Sequence, residues 1–303
     1  MRHDLGRVGV WGHLDSLPID RLRAYVHAVE DLGFGAMWVP ETVGREPFTL
    51  LALVADSTRS LMLGTSIASV YARDAVTTRV AAMTLHEATA DRFVLGLGVS
   101  HPHLVTKLRG HDYIKPVTAM RDYLADYRRA PYKGPVAGGA TRPEPPVLLG
   151  ALRERMVTLA ATDAGGAFPY LVTVDRIAWM RGILDAAAPS GRPLLCVTMP
   201  VVLEPDPATA MATARAYLVP YLRTPNYQAS FAEQGFDDSD WQPPGSDRLV
   251  ESMVAAGPLP ALMHRLDRYL AAGADHVAII PLAADGATEH LPTLQAMAAI
   301  LEP

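Results

Sequence analysis

Hydrophobic positions along this chain follow two spacings in turn, and the alternation repeats almost from end to end. Short apolar, β-branched runs suit strands buried on both faces, and each is followed by a stretch whose apolar residues recur at helical steps. Gly6 to Trp11 reads as a first strand with a loop, Gly12 to Ser16, at its carboxyl end. Leu22, Val26, Val29 and Leu32 then mark a helix that stops at Gly33, and Ala36 to Val39 a second strand ending in Pro40, Glu41 and Thr42. Leu50 to Ser57 is predicted helical. Leu61 to Ala68 is a third strand, after which Asp74 caps a helix over Ala75 to Ala88 whose Val76, Val80 and Met83 should face the sheet. Phe93 to Leu97 is a fourth strand. Gly96, Gly98 and Ser100 let the chain turn tightly there, with backbone N–H groups available to an anion.

The same alternation continues to the end. His101 to Lys115 is irregular; Pro116 opens a helix carrying Val117, Met120, Tyr123, Leu124 and Tyr127 on its apolar side. Arg129 to Pro146, rich in proline and glycine, reads as a long surface loop because strands and helices resume directly after it. Val147 to Gly150, Gly166 to Val172, Leu194 to Leu203 and Asp275 to Pro281 are the remaining strands. Helices are expected over Arg153 to Thr162, from Asp175, and over Pro207 to Leu222, Leu259 to Ala272 and Leu291 to Leu301. Arg223 to Ser246 has no clean period and reads as an insertion, near 223–246, that covers something. Eight strands, each followed by a helix, fit one closed (β/α)8 TIM barrel over residues 1–303 better than an open doubly wound sheet. Ligands of such barrels sit at the carboxyl ends of the strands.

Composition narrows the function. Half of the 303 residues are hydrophobic, 19% are charged and the net charge is −5, which allows a large core and gives no basic surface for nucleic acid. The single cysteine, Cys196, lies inside an apolar run and reads as a buried thiol rather than a nucleophile. No secretory leader and no stretch of roughly 18 apolar residues is present, so no membrane role is expected and the cytoplasm is the default location.

Strand-end positions select the candidate chemistry: His13, Glu41 and Thr42, Ser66 to Arg73, Val99 to His103, and Ala167 to Tyr170. Three familiar motifs fail. His101-Pro102-His103 has no acidic or cysteine partner at helical spacing, so no metal is expected. Gly96-x-Gly98 lacks the third glycine of a dinucleotide fingerprint, and His86-Glu87 has no second histidine four residues after the first. Arg73, beside Asp74 at a helix start, suits either a ligand anion or a structural ion pair. Trp179, Tyr217, Tyr221, Tyr227 and Trp241 read as packing and lid material, with Tyr227 and Trp241 placed to roof a pocket.

The stretches GFGAMWVPE, LGTSI, ADRFVLGLGVSH, AATDAGGAFPYLVT, PNYQASFAEQGFDDSD and AAGADHVAI resemble, in order and spacing, the bacterial luciferase-like superfamily and its branch of coenzyme F420-dependent oxidoreductases. The resemblance implies an eight-stranded barrel, a homodimer, and a deazaflavin ring over the strand ends with its phosphate held by loops after the fourth and sixth strands. It also implies a bulge with a non-prolyl cis peptide at Ser66-Ile67 behind the ring, and a phosphate cradle at Gly98, Val99, Ser100 and His101. Thr42, Arg73, Ala167 and Phe168 complete the expected cofactor-binding set. Many relatives carry an acidic residue and then histidine on the second strand, where this chain has Glu41 and Thr42. The expected proton-transfer residue is therefore Glu41, then His13 and His101. A deazaflavin passes hydride to or from a small organic substrate; the alternative is FMN, molecular oxygen and a partner flavin reductase, and a third reading is a barrel that binds without catalysis.

Overall fold

The computed structural model describes residues 5–135, 143–285 and 287–301; the middle of the long loop expected at Arg129–Pro146 lies outside them. Ten parallel strands are formed among these residues: β1 Val8–Trp11, β2 Ala36–Val39, β3 Met62–Thr65, β4 Ala68–Ser69, β5 Phe93–Gly98, β6 Val147–Leu149, β7 Gly166–Ala167, β8 Leu194–Leu203, β9 Ala255–Gly257 and β10 His276–Pro281. β10 pairs with both β8 and β1, which closes the sheet into a barrel. Eight staves make the ring, because β3 and β4 are two halves of one stave and β9 merely lengthens the edge beside the end of β8. Between their pairings with β5, the step from Gly64 to Ala68 matches the shorter step from Val94 to Leu97. One stave thus carries an extra residue, which defines a bulge, and the Ser66–Ile67 peptide within it is cis, as the resemblance implied.

Helices pack around the ring: α1 Ile19–Asp31, α2 Pro47–Val54, α3 Ala75–Ala88, α4 Pro116–Arg129, α5 Glu154–Asp163, α6 Val174–Ala187, α7 Pro207–Leu222, α8 Pro225–Glu233, α9 Asp247–Met253, α10 Leu259–Ala271 and α11 Leu291–Ala298. Asp74, Thr173, Asp206 and Ser246 each accept a hydrogen bond from a first-turn N–H of the helix that follows, so those starts are fixed by side chains legible in the sequence. Four expectations need correction. Val76 and Val80 face outward, at 45% and 41% exposure, while Ala75, Thr78, Ala82 and Met83 meet the sheet. Small residues at Ala75, Thr78 and Ala82 stand beside Met83 and Leu85 on its inner stripe, so the two valines are left outside. The seventh strand stops at Ala167, because Pro169 has no N–H for the ladder and Leu171 takes a positive φ of 55°. The 223–246 segment is part helix, α8, and a further short helix, α9, follows it. His101 to Lys115 contains one π-helical turn, Leu104–Leu108.

Two apolar layers result, one between staves and helices and one inside the ring. Trp38 dominates the interior, with Phe168 edge-on at 4.7 Å between ring centroids. Gly64 provides its room, since a Cβ there would lie 2.2 Å from the indole. At the amino-terminal end of the ring His276 is buried, with Nε2 2.9 Å from Trp38 Nε1 and Nδ1 2.9 Å from the Gly6 carbonyl. Indole only donates and carbonyl only accepts, so the neutral ring with its hydrogen on Nδ1 satisfies both. Burial pushes its pKa down to about 4.

Two measurements test this packing. Gly64→Ala should lower unfolding free energy by about 1–3 kcal/mol by forcing Trp38 aside. Gly182→Ala, within α6 and with nothing within 4 Å of a new Cβ, should raise it by up to about 1 kcal/mol. The unfolded chain protonates His276 near 6.5 and the folded chain only near 4. Its contribution to stability is therefore complete above about pH 6.5 and lost as pH falls through that window, by about 3 kcal/mol at the lower end. Denaturant unfolding across that range should show the fall, and His276→Gln, which keeps one donor and one acceptor, should flatten it.

Candidate active site

A cavity of about 910 Å³ opens at the carboxyl ends of the staves. Its floor is the bulge. Ile67 lies across the strand ends with its Cδ1 2.4 Å from where a Gly98 Cβ would be and its Cγ2 3.3 Å from that of Gly150, so two glycines make way for one flat apolar side chain. Trp11 Nε1 donates to the Ser66 carbonyl at 3.0 Å from inside the ring. The Ser66 N–H reaches the Val39 carbonyl at 2.8 Å, and the Glu41 N–H reaches the Ile67 carbonyl at 3.1 Å. Both faces of the bulge are thus tied to neighbouring staves.

Glu41 completes that tie with its side chain. Its carboxylate accepts from the Ser69 N–H at 2.7 Å, from Arg73 through two nitrogens at 3.0 Å each, and from Arg109 at 3.1 Å. The side chain is 6% exposed and every oxygen is turned toward a donor. A proton donor needs an oxygen turned to its substrate, so this geometry favours a clamp over the proton-transfer role expected from the sequence. Arg73 does not border the cavity: it also pairs with Glu46 at 2.9 Å and lies over the Phe48 ring. Thr42 and Ala167 are likewise absent from the lining. Thr42 donates to Asp15, and Ala167 is spent in the β6–β7–β8 ladder.

Glu41 borders the cavity, and with it meet His13, Ser66, Ile67, Gly98, Val99, Ser100, His101 and Phe168. His13 stands edge-on to Trp11 at 4.7 Å, and burial lowers its pKa against the opposing pull of Asp15. Burial, reinforced by His103, lowers that of His101 as well. Both rings are therefore neutral at physiological pH. His101 Nδ1 is buried without a hydrogen-bond partner, which marks it as a group awaiting a ligand. Its ring stacks on that of His103 at 6.1 Å, and among the described residues no three acidic, histidine or cysteine side chains gather as a metal would require.

Several lining groups were not singled out from the sequence. Lys115, at the N-cap of α4, and Arg153, at the N-cap of α5, both border the cavity, and neither helix start has a side-chain cap. Uncapped helix starts that carry cations suit an anionic group, and Arg155 and Glu154 line the cavity beside Arg153. Arg153 lies in the loop after the fifth stave, not the sixth, and it reaches Asn226 of α8 at 3.5 Å. The available signal was positional: Gly150 to Arg153 follows a strand end, as the selected loops do. Tyr170, Tyr221 and Tyr227 border the cavity as well. The Tyr170 hydroxyl bonds those of Tyr217 and Tyr221, and burial raises the pKa of all four tyrosines. Tyr227 roofs the cavity as expected, whereas Trp241 is packed beneath the insertion, away from it.

The strand-end cavity of this closed parallel barrel thus combines an apolar floor, two uncapped helix starts with cations and a group of tyrosines. Residues 3–276 match the luciferase-like monooxygenase family, and the chain belongs to it. A relative in Mycobacterium tuberculosis, named "Putative coenzyme F420-dependent oxidoreductase", is 29% identical across 71% of this chain and 71% of its own length. The structure is similar to the coenzyme F420-dependent tetrahydromethanopterin reductase of Methanopyrus kandleri, with a TM-score of 0.73, 16% identity and coverage of 97% of this chain and 98% of that one. It is similar too to the FMN-bound oxygenating component of 3,6-diketocamphane monooxygenase from Pseudomonas putida, with a TM-score of 0.72, 12% identity and 97% coverage of each chain. Among the described residues no helix is long and apolar enough to cross a membrane.

Glu41→Gln should cost about 1–2 kcal/mol of stability, because the partly buried Arg73 and Arg109 lose their shared counterion while Arg73 keeps Glu46. Denaturant unfolding measures this. A variant that keeps wild-type stability and loses only turnover would return Glu41 to proton chemistry.

Proposed function

We propose that this protein is a deazaflavin-dependent oxidoreductase that moves hydride between coenzyme F420 and a small organic substrate. The observation that carries the reading is the shelf of Ile67, Gly98 and Gly150, flat and apolar beneath a 910 Å³ cavity, with Lys115 and Arg153 in its lining. The mycobacterial relative's name favours F420 over FMN. An open cavity of this size also argues against a barrel that has lost its ligand.

When bound, the deazaflavin supplies two-electron hydride transfer. The chain's own groups do the rest. Ile67 backs the ring plane, while Trp11 and Glu41 keep the bulge from shifting. Ser100, Lys115, Arg153 and the starts of α4 and α5 hold the phosphate. Tyr170, Tyr221 and Tyr227 exclude water over the substrate. His13 and His101, neutral and in reach of the cavity, hold or move the substrate's proton at an imidazole nitrogen, His101 through its unpartnered Nδ1. The second reading, an FMN monooxygenase fed by a flavin reductase, draws on the likeness to the FMN-bound barrel.

Purified protein should shift the fluorescence of F420 at micromolar concentration, and Lys115→Gln with Arg153→Gln should weaken that binding about tenfold or more. His13→Asn or His101→Asn should lower turnover by about 100-fold or more with affinity little changed. Tight FMN binding with oxygen uptake, and no response to F420, would replace the first reading with the second.

A further inference from the structure

A second concavity of about 560 Å³ lies outside the barrel, where the start of α6, the turn after α8, and helices α9 and α10 meet. Arg176, Arg248, Arg265 and Arg268 line it, against two lining carboxylates, Asp175 and Glu233. Such an excess of cations runs against a chain whose net charge is −5. Two of the four are answered: Arg176 by Glu233 at 2.5 Å and Arg248 by Asp240. The other two are not. Arg265 gives its donors to the carbonyls of Glu251 at 2.7 Å and Ser252 at 3.0 Å, neutral acceptors that fix the guanidinium without cancelling its charge. Arg268, three residues on and so on the same face of α10, is exposed and forms no ion pair among the described residues.

Arg176 adds a rigid wall. It is 7% exposed, its guanidinium lies 3.6 Å from the centre of the Trp179 ring, and its Nε is buried with no acceptor. Glu233 and the Leu152 carbonyl already hold its Nη2, so Arg176 walls the cleft in a fixed position while Arg265 and Arg268 supply the unanswered charge.

We propose that this cleft is an anion site, separate from the strand-end cavity, for a small ligand bearing two or more carboxylate or phosphate groups. Three helices contribute the cations and the space exceeds that of a single oxyanion, so one charge cannot engage them together. Guanidinium forks match carboxylate and phosphate oxygens in pairs, which makes planar or tetrahedral polyanions the chemistry the cleft recognises. Trp179 and Glu233 border the strand-end cavity as well, so the test must tell the two sites apart.

Calorimetric titration of the full chain with citrate, and separately with inorganic pyrophosphate, at low ionic strength distinguishes carboxylate from phosphate ligands. Saturable one-site binding of at least one probe is expected, weakened about tenfold by Arg265→Gln with Arg268→Gln. Arg268→Gln alone, at an exposed position that folding does not depend on, should weaken it measurably while thermal melting stays unchanged. Lys115→Gln with Arg153→Gln, which removes two of the cations lining the strand-end cavity, should leave it unaltered. Absence of saturable binding by both probes overturns the proposal, as does binding lost with the Lys115 and Arg153 pair and retained by the α10 variants.

Discussion

The cavity depends on one carboxylate. Glu41 stands at the end of β2, yet its contacts reach β4, the loop after it and the turn beyond Leu108, so a single side chain joins segments that the chain visits at different times. Remove that charge and two arginines lose their shared counterion in a place water barely reaches. The bulge is fastened on its other side by an indole from within the ring. Neither tie involves regular ladder hydrogen bonds, because the extra residue has taken this stave out of register with β5 at that point. Side chains replace what the ladder cannot supply.

This arrangement divides labour in a way suited to redox work with a borrowed ring. A planar heterocycle needs a flat, rigid surface more than it needs reactive protein groups, and the strand ends give one by pairing a long aliphatic side chain with glycines. The residues able to handle a proton, His13 and His101, come from loops on β1 and β5 and are kept uncharged by burial. Rigid floor and adaptable walls thus belong to different parts of the fold.

The barrel was legible because each stave announces itself. Runs such as Phe93–Leu97 and His276–Pro281 are too short and too β-branched for helices, and their count closes the ring. The bulge at Ser66–Ile67 came through family likeness; nothing in LGTSI alone specifies it. Periodicity misled where packing is made by small residues: Val76 and Val80 looked like the inner face of α3, but alanine and threonine occupy it. The cavity lining was foreseen at His13, Ser66, Ile67 and Gly98 to His101, and missed at Lys115 and Arg153. Their charge is ordinary in sequence, and only the three-dimensional convergence of two uncapped helix starts gives it meaning. Glu41 illustrates the converse limit. Its position was foreseen, but its partners Arg73 and Arg109 are 32 and 68 residues away, and they decide whether a carboxylate acts or holds.

The tyrosines above the cavity have one more property, which follows from counting hydrogens. Tyr221, Tyr170 and Tyr217 form a line of three hydroxyls joined by two contacts, so two hydrogens are committed and one is spare. Tyr170 gives its hydrogen to Tyr221, so Tyr217 must give its own to Tyr170, and the hydrogen of Tyr221 is the one left over. Tyr221, which borders the cavity, therefore offers that hydrogen to a guest. A ceiling of fixed shape thus presents one donor, set by hydrogens that two hidden neighbours have already committed.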